Sequence, residues 1–160
     1  MTGLLTSPLS PFMSAASSRK IHGTILIVDD NALGLVARKS VLEEIGHKIE
    51  TSSKPEDALL LCKQQNFDLI VTDFKMPQMN GIEFISTLRS AGVNVPVILL
   101  SGFTDTLGLS EANTGADAVI QKSSNEVQHL IRSVNRLLKK PAKKKPAGSQ
   151  GSPQSGTKTG

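Results

Sequence analysis

Five residues in this 160-residue chain are of types that could do chemistry together. Asp29 and Asp30 form an acidic pair. Asp73 stands 43 positions after Asp30, Ser101 follows, and Lys122 lies 49 positions beyond Asp73. Carboxylates brought close raise one another's pKa unless a cation joins them. An oxygen-only donor set, with no His or Cys, suits Mg2+, which takes a few carboxylates and keeps several waters. A metal held there can also bind a phosphoryl oxygen. A serine hydroxyl that donates a hydrogen bond and a lysine ammonium would complete a clamp on a phosphoryl group. Taken singly, each residue has a blander reading. Asp29 or Asp30 can be a helix N-cap, Ser101 a turn residue and Lys122 a solvated side chain. Whether they meet depends on the elements that carry them.

Those elements alternate between strands and helices. Thr24–Val28 (TILIV) is a short, apolar, β-branched run, the signature of a strand buried on both faces. From Ala32 to Ile45, Leu35, Val36, Leu42 and Ile45 recur at helical spacing, and Gly46 closes the helix. His47–Thr51 is a more polar strand, as an outer one would be. Ser53 is the expected N-cap of a helix with Pro55 in its first turn and Ala58, Leu61 and Cys62 on one face. Asp68–Thr72 is the third strand. Gly81–Ser90 is a helix with Ile82, Ile85 and Leu88 inward, ending near Gly92. Val95–Leu100 is the fourth strand, with Pro96 only at its start. Thr104–Asn113 is a weak helix that contains Gly108, and Ala118–Gln121 is the fifth strand. Ser124–Leu138 is the last helix, with Val127, Leu130, Ile131, Val134, Leu137 and Leu138 on one side.

Five such units imply an α/β fold, a doubly wound parallel sheet with helices on both faces. Functional groups in such sheets gather at the carboxyl ends of the strands. The candidates follow strands 1, 3, 4 and 5. With strands 1 and 3 adjacent, three carboxylates share one rim.

Composition narrows the alternatives. There is no Trp, no Tyr and only five Phe, too few aromatics for a base-stacking platform. One cysteine, Cys62, excludes an internal disulfide framework and a multi-cysteine zinc site, and fits a reducing compartment. His22, His47 and His129 have no metal-ligand spacing. No apolar run is long enough to span a bilayer, so membrane insertion is not expected. The net charge of +4 belongs to the ends. Residues 22–138 hold only ten of the 18 bases and all 14 acids. The expected organisation is a disordered leader over 1–21, a folded domain over 22–138 and a disordered Lys/Pro/Gly/Ser-rich tail over 139–160.

The motifs resemble the receiver domain of a two-component response regulator of the chemotaxis type. They are ILIVDDN at 25–31, DLIVTDFKMPQMNG at 68–81, VILLSG at 97–102 and ADAVIQKS at 116–123. The resemblance implies a flavodoxin-like, five-stranded sheet in the order 2-1-3-4-5. It implies that Asp73 is the phosphoacceptor, attacking a phosphohistidine of a sensor histidine kinase or phosphotransfer protein. Asp30, Asp73 and the backbone carbonyl of Lys75 would hold Mg2+, with Asp29 in support. Lys122 would pair with Asp73 and then with the phosphate, and Ser101 would move toward a phosphoryl oxygen. The chain would be a cytoplasmic phosphoprotein that signals to a downstream protein. It would not be an enzyme beyond its own phosphotransfer and dephosphorylation. Two positions depart from the family. Ser123 follows Lys122 where Pro is usual, and a trans bond is expected there because a non-proline cis bond costs about 2.5–4 kcal/mol. Val119 stands where the family usually carries an aromatic ring.

Other functions remain to be weighed. The run Lys139-Lys140-Pro141-Ala142-Lys143-Lys144-Lys145 offers nucleic-acid contact through the tail, or serves only as a solubilising linker. An aspartyl-phosphate hydrolase of the haloacid-dehalogenase type would want a second Asp where Lys75 stands. A flavin carrier would want a Ser/Thr/Gly-rich phosphate loop where Asp29 and Asp30 would repel the phosphate.

Overall fold

The computed structural model of the chain describes residues 21–102 and 107–139. Short β-branched runs form five parallel strands: β1 (Thr24–Val28), β2 (Lys48–Ser52), β3 (Leu69–Asp73), β4 (Val97–Ser101) and β5 (Ala118–Gln121). Their order is β2-β1-β3-β4-β5, the doubly wound arrangement expected. Between and after them lie α1 (Ala32–Glu44), α2 (Pro55–Gln64), α3 (Gly81–Ser90), the short α4 (Glu111–Thr114) and α5 (Glu126–Lys139).

Side chains alternate along each strand, so each strand feeds two cores. Ile25, Ile27, Val71, Ile98 and Leu100 pack under α1 and α5, against Leu35, Leu42, Leu130 and Val134. Leu26, Val28, Ile70, Val97 and Leu99 pack on the other side, against Ala58 of α2 and Phe84, Ile85 and Leu88 of α3. The central strands β1, β3 and β4 are buried almost throughout, which is why they read as continuous apolar runs. The register pairs Val28 with both Ser52 and Thr72, Asp73 with Leu100, and Ser101 with Gln121. The carboxyl ends therefore finish together, along one rim.

Several expectations need correction. Strands 2, 3 and 4 end one residue later than expected. Asp73 and Ser101 thus close their strands rather than follow them. Pro96 lies outside β4, where its missing N–H breaks no ladder. Lys54, not Ser53, is the N-cap of α2 and makes no side-chain cap. Ser52 takes over the turn, with Oγ donating to the Lys54 carbonyl at 2.8 Å. The phase of α1 differs too: Leu35, Arg38 and Leu42 face inward, while Val36 and Ile45 are exposed. On α5, Val127 is exposed. The helix expected over Thr104–Asn113 is interrupted at Gly108, whose φ of +63° turns the chain before α4 begins. Residues 103–106 lie outside the described residues. So do 1–20 and 140–160, and with them the expectations for the leader and basic tail; Lys139 belongs to α5. No helix among the described residues is long and apolar enough to cross a membrane.

One buried titratable group lies at the opposite end of the sheet. His47 is buried, and its Nδ1 accepts from the Gly23 N–H at 3.1 Å. Burial, with His22 nearby adding repulsion, holds its pKa below the ordinary histidine value. A depressed folded value means that protons favour the unfolded chain. The stability from neutral His47 is fully present above about pH 6.5 and is lost as pH falls through the folded value. Urea midpoints should fall below about pH 6.5, and His47→Gln should flatten that part of the profile. An unchanged slope in the variant would assign the acid sensitivity elsewhere.

Candidate functional site

Asp73 is the last residue of β3, buried because neighbouring strands flank it on both sides. Lys122 leaves β5 directly. Its N–H donates to the Ser101 carbonyl at 2.9 Å, tying the ends of β4 and β5 together. Its Nζ lies 2.6 Å from Asp73 Oδ1. Ser101 closes β4 and is buried. Asp29 follows β1, and its N–H donates to the Ser52 carbonyl at 3.1 Å. Asp30 is exposed at the mouth.

Neither aspartate caps α1. Asn31 does, its side chain accepting from the Gly34 N–H at 3.1 Å. Asp29 Oδ1 accepts instead from the Asn31 N–H at 2.9 Å, which holds its carboxylate at the rim. Asp29, Asp30 and Asp73 each offer an oxygen, and these oxygens lie within 4.8 Å of one another. Burial pushes the Asp73 carboxyl above its usual range. The Lys122 hydrogen bond opposes that rise, and the charge of Asp29 adds to it. Such crowding is what a divalent cation relieves. The donor set is all oxygen, and the exposed Asp30 leaves a side open to water, which fits Mg2+.

The loop after β3 is shaped to keep Asp73 in place. The Phe74 N–H donates to the Leu100 carbonyl at 2.7 Å, and the Gly81 N–H returns to the Phe74 carbonyl at 2.8 Å. Lys75 sits exposed on this loop, two residues after Asp73. Gln78 takes the left-handed region at φ +72°. Asn80 and Glu83 form a reciprocal capping box that starts α3.

The Lys122–Ser123 bond is trans, since the described residues contain no cis peptide bond. Lys122 still reaches Asp73. Val119 is half-buried against the core on the α2–α3 side of the sheet. His129 is exposed on α5, and burial pushes the Cys62 thiol up, away from reactivity.

Sequence reasoning missed one site residue. Arg38 of α1 is buried, and its Nη1 donates to Asp29 Oδ2 at 2.5 Å. Its Nε donates to Glu126 Oε1 at 2.7 Å, on the first turn of α5. Hydrogen bonds and attraction from both carboxylates hold its pKa above the ordinary value, although burial alone would lower it. The signal was present. Arg38 falls on the same helical stripe as Leu35 and Leu42, and a charge on an inward stripe demands a partner.

Comparison with known proteins agrees with this geometry. The response regulator receiver domain family matches residues 25–135. A receiver domain of Francisella response regulator 1452 is 32% identical with a TM-score of 0.67, over 73% of this chain and 97% of that one. The response regulator TrrA of Thermotoga maritima, solved with Mg2+ and BeF, is 31% identical with a TM-score of 0.64, over 71% of this chain and 97% of that one. The cell cycle transcriptional regulator CtrA of Caulobacter vibrioides is 29% identical over 138 residues, or 85% of this chain and 55% of that protein. This chain thus spans about half the length of that regulator, and a smaller share of some other curated relatives.

Proposed function

This chain belongs to the response regulator receiver domain family of two-component signalling, and from that premise we propose that it accepts a phosphoryl group on Asp73 from a sensor histidine kinase or phosphotransfer protein. The observation that carries the reading is the Lys122 ammonium 2.6 Å from Asp73 Oδ1 beside the converging carboxylates of Asp29 and Asp30. An Asp73 oxygen bonds to phosphorus, the phosphorus–nitrogen bond of the donor breaks, and the leaving imidazole takes up a proton. Lys122 keeps Asp73 oriented before transfer and faces the phosphoryl oxygens after it. Ser101 supplies a hydroxyl at the same rim. Asp29, Asp30 and Asp73, with the Lys75 carbonyl, would hold Mg2+, which supplies positive charge to the transferring group. Arg38 holds Asp29 in position.

The product carries about two negative charges, enough to bias one of two packings at the ends of β4 and β5. With Val119 where the family usually has a ring, the change on the face of β5 and α5 is small and is concentrated after β4, from Ser101 onward. Output then passes to a partner protein by contact, with no catalysis beyond the chain's own phosphotransfer and dephosphorylation. The curated relatives are longer, so the partner and any further segment are part of this proposal. The test is incubation with acetyl phosphate and Mg2+. Mass spectrometry should show one hydroxylamine-labile phosphoryl group, located on Asp73. Asp30→Ala, a change at an exposed carboxylate, should fold yet lose both Mg2+ binding and labelling. Modification at another residue would overturn the assignment.

A further inference from the structure

A buried guanidinium stands between the acidic rim and the last helix. Arg38 lies on the inward stripe of α1 and is only 8% exposed. Its planar fork serves two carboxylates at once, Asp29 through Nη1 and Glu126 through Nε. Glu126 is 88 residues away along the chain, on the first turn of α5. A lysine, with one compact ammonium, cannot span both in this geometry. Burying such a charge is tolerable only while it is paired.

The fold makes room for this pair. Gly34 lies in the first turn of α1, where its N–H donates to the Asn31 cap. A Cβ there would sit 2.8 Å from Arg38 Nη1 and 3.1 Å from Asp29 Oδ2. Any other residue would push into the ion pair. A side chain at position 34 would therefore shift the guanidinium from its present place against Asp29.

We propose that Arg38 is a positioning residue that couples cation occupancy of the acidic rim to the first turn of α5. The inference rests on the metal reading above. Asp29 accepts from the Asn31 N–H through Oδ1 and from Arg38 through Oδ2, and it also lines the cation site formed with Asp30 and Asp73, so Arg38 and a cation compete for it. As a cation takes a larger share of Asp29, the guanidinium is left to Glu126 and tightens on it. The start of α5 then senses the rim through a side chain, with no backbone connection. Such coupling is reciprocal: weakening the Glu126 arm must weaken cation binding.

The experiment uses the full chain, with Mg2+ titrated by calorimetry and by amide resonances. Glu126→Gln should bind Mg2+ about fivefold more weakly than the parent, at the lower end of usual coupling. Simple loss of a negative charge would also weaken binding, so the deciding comparison is made in an Arg38→Lys background. Arg38→Lys keeps the charge but loses the fork. Adding Glu126→Gln to it should weaken Mg2+ binding distinctly less than the same change does in the parent, since only the through-space loss of charge remains. The Glu126 amide resonance should shift on Mg2+ addition in the parent and stay still in Arg38→Lys. A Glu126→Gln penalty of equal size in both backgrounds would reduce the effect to through-space charge and overturn the coupling. So would an unmoved Glu126 resonance in the parent, which needs no variant to fold. Absence of any Mg2+ binding to the parent would overturn the metal reading along with it.

Discussion

Asp73→Asn is expected to abolish phosphoryl acceptance and, at the same time, to stabilise the unphosphorylated protein. The first effect follows because an amide cannot serve as the attacking carboxylate. The second follows from burial. Asp73 is 5% exposed, and burial raises its carboxyl pKa, with the charge of Asp29 adding and Lys122 opposing. A raised folded value favours the neutral form. Its contribution is fully present below the unfolded value of about 3.9 and is lost as pH rises through the folded value. At pH 7 the native protein carries that burden, whereas the asparagine variant is neutral throughout. Lys122 loses its partner in the variant, but its side chain is 31% exposed and can turn to water. Urea midpoints should therefore be higher for the variant at pH 7, and the two curves should converge below about pH 4. A lower midpoint at pH 7 would mean that the Lys122 pair outweighs the cost of burying the charge.

Gly81→Ala should act on the fold and on the site together. A Cβ at Gly81 would lie 2.5 Å from Leu99 Cδ1, 2.6 Å from the Asp73 carbonyl oxygen and 3.0 Å from Phe74 Cα. Two of those three atoms are backbone, so no rotamer change relieves the clash. Overpacking of this kind typically costs about 1–3 kcal/mol, and backbone contacts place this case at the upper end. Because the displaced backbone is that of Asp73 itself, labelling by acetyl phosphate should also slow. Gly102→Ala is the control: a Cβ there meets nothing within 4 Å. Denaturation of both variants with an unchanged m-value would isolate the packing effect. Equal midpoints for the two would refute the close-approach argument.

The rim was legible in the sequence because two rules act locally. Short β-branched runs separated by helical spacing specify parallel strands buried on both faces, and such sheets bring their functional groups to the carboxyl ends. Asp29, Asp30, Asp73, Ser101 and Lys122 needed nothing more to be placed on one rim. Their convergence in the structure, with oxygens of three aspartates within 4.8 Å, depends on the neighbouring of β1 and β3, itself implied by the doubly wound topology.

The phase of the helices was not legible to the same degree. Val36 and Val127 satisfy helical spacing as well as their buried neighbours do, yet both face water, because periodicity defines a stripe only to within one residue on either side. Docking against the sheet chose the stripe Leu35, Arg38, Leu42 instead. That choice carries a charge inward, which local pattern reasoning disfavours and which only a distant partner makes tolerable. The partner, Glu126, arrives from 88 residues further along the chain when α5 folds beside α1. The sequence by itself determined which groups line the rim, since strand ends are set by short-range pattern. Only the tertiary structure decided how the rim is wired to the last helix, since a buried ion pair exists only where two long-separated segments are held in contact.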